Sequence, residues 1–213
     1  MKKYYLLVIA LLSLNAYQSH AQQQSPITTT QHMLTPQEKD YASKLLQQTQ
    51  TDAVKALADL NEAQLKFKPT ADKWSIEECM KHIAAAEKNL WTMIEASLAK
   101  PANPEARAGI KFTDEELVKV VEDRSHKAKT FEALQPANSP YKTAAEALAS
   151  FTKNREKLIA FIKNTPVDLR NHVSVLPIGT YDAYQFILLI AAHSNRHTQQ
   201  IEEVIANANF PKK

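Results

Sequence analysis

The stretch FILLIAAHSNRHTQQIEEV, residues 186–204, decides how this chain of 213 residues folds. Apolar side chains recur at helical spacing from Phe186 to Val204, which predicts a stripe that faces a core. His193 and His197 lie on that stripe, because positions four residues apart point the same way in a helix. An imidazole in a core needs a polar partner. The two histidines are therefore either core side chains with hydrogen-bond partners or two ligands of a metal.

Further helices precede this stretch, and their starts are well marked. TPQE at Thr35–Glu38 and SIEE at Ser75–Glu78 are capping boxes, the first with proline at the first helical position. TDEE at Thr113–Glu116 begins a shorter helix that ends before QPANSP. The long helices are predicted at about residues 35–60, 75–98, 142–164 and 180–208.

Long amphipathic helices, each with one apolar stripe, are typical of a bundle. We therefore predict an all-α fold: a four-helix bundle over residues 35–208, with an extra short helix between the second and third long helices. Residues 209–213 form a C-terminal tail. The segment TPVDLRNHVSVLPIGT is predicted to be irregular, since its one weak strand pattern, HVSVL, is short and lies between prolines.

The first 21 residues have the order of a secretory signal peptide. Lys2 and Lys3 precede an apolar stretch of about 11 residues, which is too short to span a bilayer, and Ser19 and Ala21 are spaced like a signal peptidase site. Residues 22–34 then form a polar tether. The mature protein is predicted to be periplasmic or secreted, without a stable membrane anchor.

Composition excludes several classes of function. The formal net charge is +3, and it falls to +1 without Lys2 and Lys3, so no electrostatic footprint for nucleic acid is present. Cys79 is the only cysteine, which excludes an internal disulfide and a multi-cysteine metal site. The sequence also lacks a glycine-rich phosphate loop and a nucleophile elbow.

A third histidine strengthens the metal interpretation of the opening stretch. His82 lies seven residues after Ser75, near the inward stripe of the second long helix. Bundles build metal sites from side chains that project inward from facing helices. His82 with His193 and His197 would give three imidazoles around one point, a donor set that suits zinc, nickel, copper or iron(II) and leaves coordination positions open. Zinc or nickel is our leading choice.

The chain resembles the DinB-like (DinB/YfiT-like) superfamily of metal-binding four-helix bundles. The matching pieces run in order from residue 67 to 204, and the most specific are the Trp-Ser start before the helix of His82 and the H-x-x-R-H-x-x-Q-I ending. The resemblance implies that His82, His193 and His197 are the metal ligands. It also implies metal-activated nucleophile chemistry, because relatives include metal-dependent hydrolases and S-transferases or isomerases that use low-molecular-weight thiols.

Three other side chains near the predicted site have open roles. Arg155 occupies the apolar stripe of the third long helix, either paired with a carboxylate or as an anchor for an anionic substrate. Glu87 lies about 140° around the helix from His82 and is predicted to be a rim residue rather than a ligand. Cys79 is predicted to be a small buried hydrophobe, with a soft ligand or nucleophile as the alternative. The remaining candidates are assigned surface, solvated or core positions: Arg124, Arg196, His126, His172, Trp74 and Trp91.

Three classes of function remain open at this stage. A metal-dependent hydrolase acting on a small molecule is favoured, because an exported protein would not meet the cytosolic thiols that an S-transferase needs. The alternatives are a metal- or ligand-binding module without turnover and a stress-related interaction protein in which the metal only stabilises the bundle. The sequence leaves the oligomeric state open, a homodimer included.

Export is directly testable. We expect signal peptidase to cleave after Ala21, so that protein isolated from its native cell envelope begins at Gln22. Intact-mass spectrometry would show this start, whereas an intact Met1 in the same preparation would contradict the prediction.

Overall fold

The computed structural model describes residues 32–126 and 130–212, within which six α-helices and one β-hairpin occur. The predicted signal peptide and all but the last three residues of the tether lie outside the described residues. Four long helices form the bundle and two short ones flank it. The α-helices are α1 (Pro36–Leu57), α2 (Glu62–Lys66), α3 (Ile76–Leu98), α4 (Asp114–Glu122), α5 (Ala144–Asn164) and α6 (Ala183–Ile205); the strands are β1 (Val173–Leu176) and β2 (Gly179–Asp182).

The predicted capping boxes begin three of these helices. The side chains of Thr35, Ser75 and Thr113 each accept a hydrogen bond from a backbone N–H three residues on, and the glutamate at that position bonds back. Each cap satisfies N–H groups that the helix itself leaves unpaired. Local sequence therefore fixes where α1, α3 and α4 start, and the short helix α4 lies between α3 and α5 as predicted.

The four long helices pack in an order that differs from their order in the chain. α6 packs between α1 and α3, and α5 packs between the same two helices on the opposite side. The first halves of α1 and α6 share an apolar cluster with the second halves of α3 and α5. α1 and α6 therefore run in one direction, and α3 and α5 run in the other.

A buried polar layer separates the two apolar clusters of the bundle. At its centre is Arg155 of α5, whose side chain is 0% exposed. Its guanidinium donates to Glu87 Oε2 at 3.1 and 2.6 Å, to Leu46 O and Thr49 Oγ1 on α1, and to Ser194 Oγ on α6. Burial raises the pKa of Glu87, and the Arg155 guanidinium opposes that shift.

These contacts decide between the two roles considered for Arg155. It faces the interior, as predicted, and it is paired with a carboxylate. All five of its N–H groups are engaged inside the bundle, which leaves none to bind a substrate. The prediction that Glu87 is a rim residue is wrong. Glu87 does lie on a different face from His82, but α3 packs against both α5 and α6, so both faces are buried.

The segment predicted to be irregular contains β1 and the start of β2. β1 and β2 pair antiparallel from Val173↔Asp182 to Leu176↔Gly179. Gly179 has φ of 137°, and a Cβ there would lie 2.6 Å from Tyr181 Oη, so only glycine fits. Thr180, predicted to begin the last helix, lies in β2 instead, and α6 begins at Ala183 behind the Asp182 cap. Strands of four residues carry too little alternation to stand out in the sequence.

The first predicted helix is also shorter than expected. α1 ends at Leu57, and Asp59 adopts the left-handed conformation with φ of 60°. The chain then enters the short helix α2 through a capping box at Asn61 that the sequence analysis missed. Leu60, which continues the apolar stripe of α1, packs against the core from the connecting turn rather than from a helix.

A second ionic network closes the bundle at the end where α6 begins. Arg170 pairs with Glu38 of α1, Asp114 of α4 and Asp182, the cap of α6. Its guanidinium also stacks on the Tyr184 ring at 4.1 Å. The network joins elements that are distant in sequence and fixes the hairpin region to the bundle. None of the helices in the described ranges is sufficiently long and apolar to cross a membrane.

The central ion pair yields a stability prediction. Glu87→Gln should lower the free energy of unfolding by about 3–5 kcal/mol, because it leaves the buried Arg155 charge uncompensated. Asp40→Asn, which breaks the exposed pair with Lys44, is the matched control and should cost less than about 1 kcal/mol. Urea denaturation of both variants makes the comparison, and equal losses would contradict a central role for the pair. The double change Glu87→Leu with Arg155→Met should cost less than Glu87→Gln.

Candidate metal centre

Three histidines meet where α3 faces α6. The ligand atoms of His82, His193 and His197 all lie within 4.8 Å of one another, and no other such group of three occurs in the part of the chain that the structure describes. His82 Nε2 is 3.2 Å from His193 Nε2. The ring of His197 lies 4.4 Å from that of His82 and 4.6 Å from that of His193, centre to centre. The fold therefore brings together the three residues predicted from the sequence.

Two hydrogen bonds set which nitrogen of the His82 and His197 rings faces the cluster. His82 Nδ1 is 2.8 Å from the carbonyl oxygen of Leu134, which can only accept, so Nδ1 carries the proton. His197 Nδ1 donates in the same way to Gln200 Oε1 at 3.0 Å. In a neutral imidazole the lone pair then lies on Nε2. Backbone and side-chain partners of this kind orient metal-ligating histidines.

Burial keeps the three rings neutral. It lowers the pKa of His193 to about 3, with a further contribution from His82. Burial also lowers the pKa of His197 well below its usual value, with His193 adding to the effect. The pKa of His82 is lowered by burial too, although its bond to Leu134 opposes this. Neutral imidazoles are the form that binds a metal.

The donor set fits a divalent transition metal. Tetrahedral bonds of 2.0–2.1 Å would separate two ligand nitrogens by roughly 3.3 Å, close to the distance between His82 Nε2 and His193 Nε2. Three neutral nitrogen donors also leave a coordination position open, as in catalytic rather than structural zinc sites. His82, His193 and His197 are thus the residues that could hold the ion.

Trp74 forms one wall of the site, a role that the sequence analysis missed. Its indole stacks on His197 with an interplanar angle of 21° and contacts the His82 ring at 5.0 Å between centres. Trp74 directly precedes the Ser75 cap, so the start of α3 places it beside the histidine of the second helical turn. Its position next to that cap is the one available signal, and the sequence pattern predicts only a core or helix-entry role for it.

A cavity of about 310 Å³ opens beside the histidines. The side chains that line it come from the segment before α3, from the segment after α4 and from α6: Asp72, Lys73, Trp74, Arg124, His126, Thr130, Gln135, Arg196, His197 and Gln200. Arg124 and Arg196, predicted to be surface charges, are half-buried in its wall. Their place in the wall cannot be read from the sequence, because the wall forms only when side chains from distant parts of the chain meet at this end of the bundle.

The remaining candidates lie apart from the ligand cluster. Cys79 is fully buried in the apolar cluster of this end, as predicted, and burial raises the pKa of its thiol to about 12. That environment makes it a poor nucleophile. His172 Nδ1 lies 3.1 Å from Ser97 O, away from the site. His126 is exposed on the cavity wall, where its carbonyl accepts from Arg196 Nη2.

Comparison with known proteins gives the chain its family. The sequence profile of the DinB superfamily matches residues 45–201. The uncharacterized protein YuaE of Bacillus subtilis (strain 168) is 26% identical over 151 residues, which are 70% of this chain and 87% of YuaE. Among solved structures, YfiT from Bacillus subtilis matches with a TM-score of 0.57 and 15% identity, over 84% of this chain and 91% of YfiT.

YfiT is described as "a probable metal-dependent hydrolase with an unusual four-helix bundle topology". At this level of identity the likeness shows the shared all-α fold alone. The family match itself includes all three histidines, since it spans more than two thirds of the chain from α1 to α6. The fold, the three-histidine cluster and this match lead to one conclusion: the chain belongs to the DinB superfamily.

Proposed function

We propose that this protein is a metal-dependent hydrolase in which His82, His193 and His197 bind one divalent transition metal, zinc or nickel. The observation that carries the proposal is the cluster of three neutral imidazoles at the edge of an open cavity. YfiT, a protein of the same fold that is described as "a probable metal-dependent hydrolase", supports it. When bound, such a metal supplies Lewis acidity, which polarises a carbonyl or phosphoryl oxygen and acidifies water.

The protein's own residues prepare the site for this chemistry. Leu134 and Gln200 fix the tautomers of His82 and His197, so little reorganisation is needed when a metal binds. Trp74 covers two of the rings and restricts the approach of solvent from its side. The cavity reaches the His197 ring, and its volume of about 310 Å³, near the lower end of ligand pockets, suits a small substrate.

The site supports hydrolysis better than thiol chemistry that uses a protein thiol. Cys79 is 0% exposed and its thiol pKa is raised, so it cannot serve as the attacking group. We also propose that the protein acts outside the cytoplasm, on the basis of the basic, apolar and small-residue order of residues 1–21. A thiol S-transferase would have to draw its thiol from solution in that compartment.

Metal content tests the ligand assignment. Each of His82→Ala, His193→Ala and His197→Ala should weaken zinc binding more than about 100-fold, because even the loss of an outer partner of a ligand costs 10–100-fold. His126→Ala and His172→Ala are matched controls and should bind zinc like the wild type. Plasma mass spectrometry of the purified proteins and calorimetric zinc titration provide the readouts. Full zinc occupancy in His193→Ala would overturn the assignment.

Turnover is tested on the same proteins. The mature chain, stripped with chelator and reloaded with zinc or nickel, should hydrolyse members of a panel of carboxylic, amide and phosphate esters, and activity should be lost again with chelator. A low-molecular-weight thiol with an electrophilic acceptor forms the S-transferase arm. Stoichiometric metal without hydrolysis of any panel member would overturn the hydrolase proposal and favour the non-catalytic module.

The lowered imidazole pKa values predict how stability depends on pH. In the metal-free chain the unfolded state takes up protons below about pH 6.5, whereas folded His193 stays neutral until about pH 3. The free energy of unfolding should therefore fall as the pH is lowered through this window. His193→Gln should show a smaller fall between pH 6.5 and 5 in urea denaturation. An unchanged pH slope in that variant would contradict the predicted pKa.

A further inference from the structure

The cavity beside the three histidines has a basic wall. Three of its lining side chains are cations, Lys73, Arg124 and Arg196, and Asp72 is the one carboxylate that lines it among the described residues. The wall is assembled from three parts of the chain: the segment before α3, the segment after α4, and α6. The nearly neutral composition does not indicate this concentration of positive charge.

Acidic groups offset this charge only in part: Glu203 attracts all three cations, and Asp123 also attracts Arg196. Arg124 donates from Nε and Nη2 to the Glu203 carboxylate, both at 2.7 Å, but Glu203 is itself 60% exposed. Arg196 donates to backbone carbonyls of Val121, Asp123 and His126, which are neutral acceptors. Within the two described ranges, neither Arg196 nor Lys73 forms an ion pair.

The histidine cluster, of which His197 lines the cavity, adds to the positive potential if the proposed function holds. Three neutral imidazoles do not reduce the charge of a divalent ion, whereas a carboxylate ligand would. A cleft with cations in its wall and a metal ion beside it concentrates anions and repels cationic ligands. The Nε and Nη2 groups of Arg124 already donate to Glu203, so an anion would bind to its remaining N–H groups on Nη1 and Nη2. Lysine adds a point charge with three donors.

We infer that the substrate is a small anion whose carboxylate or phosphate group binds to Lys73 and Arg124, while its reacting bond lies over His82, His193 and His197. The position of the reacting bond rests on the proposed function. The anion subsite does not, because it is made only of side chains of the cavity wall. Arg196 also contributes charge, but it donates to backbone carbonyls at the end of α4. A substitution of Arg196 would therefore disturb the wall itself.

Anion binding by the mature chain tests the subsite. Inorganic phosphate and succinate are titrated calorimetrically into the metal-free and the zinc-loaded protein at low ionic strength, and the two anions show which head group is preferred. Lys73→Gln and Arg124→Gln should each weaken binding by about 5-fold or more, the order expected for hydrogen bonds to charged groups. Lys100→Gln, which removes the same charge from an exposed position after the far end of α3, should leave binding unchanged.

The outcomes separate the subsite from the hydrolase proposal. Equal weakening in Lys100→Gln, or no binding of either anion to the wild type, would overturn the subsite, whatever the metal and ester experiments show. Anion binding by the metal-free chain that depends on Lys73 and Arg124 would support the subsite even if no ester is hydrolysed. Arg124→Gln also removes the bond to Glu203, so Lys73→Gln, which breaks no ion pair within the described ranges, decides the matter if the arginine variant is unstable.

Discussion

The buried cation of Arg155 is the constraint on which the rest of the bundle depends. Its side chain starts on α5 and its N–H groups reach α1, α3 and α6, so one guanidinium contacts all the other long helices. The guanidinium is shielded from water and must keep all of these hydrogen-bond partners, because an unpaired polar group in the interior lowers the stability of the fold. Apolar contacts tolerate small rotations of a helix, whereas these directional bonds do not. The network thus fixes the rotation of the four helices about their own axes.

That fixed rotation also assembles the metal centre. Glu87, which binds Arg155, lies five residues after His82 on α3, and Ser194, which also binds Arg155, is the neighbour of His193 on α6. Holding Glu87 and Ser194 in place holds the two histidines 3.2 Å apart. The bonds from Leu134 and Gln200 then set the orientation of the rings. A structural ion pair and a candidate reactive site are therefore parts of one arrangement.

The two ends of the bundle serve different purposes. At the start of α6, Arg170 closes the structure with three carboxylates and a stacked Tyr184. At the opposite end, the segments before α3 and after α4 leave a cavity with a basic wall beside the histidines. Cations at the first end are matched by carboxylates, and cations at the second are matched only in part. An anionic ligand that binds at the second end would neutralise positive charge that the protein's own carboxylates leave unmatched.

The sequence by itself determined the elements that depend on neighbouring residues. Capping boxes and the 3.6-residue period predicted the four long helices and α4, and the i, i+4 rule placed His193 and His197 on one inward face. Only the tertiary structure decided the β-hairpin, the partner of Arg155 and the basic wall around Arg124. Each of these depends on contacts between residues far apart in the chain, such as Arg155 with Glu87 or Trp74 with His197. Local propensity carries no information about such pairs, because they form only after the helices have packed.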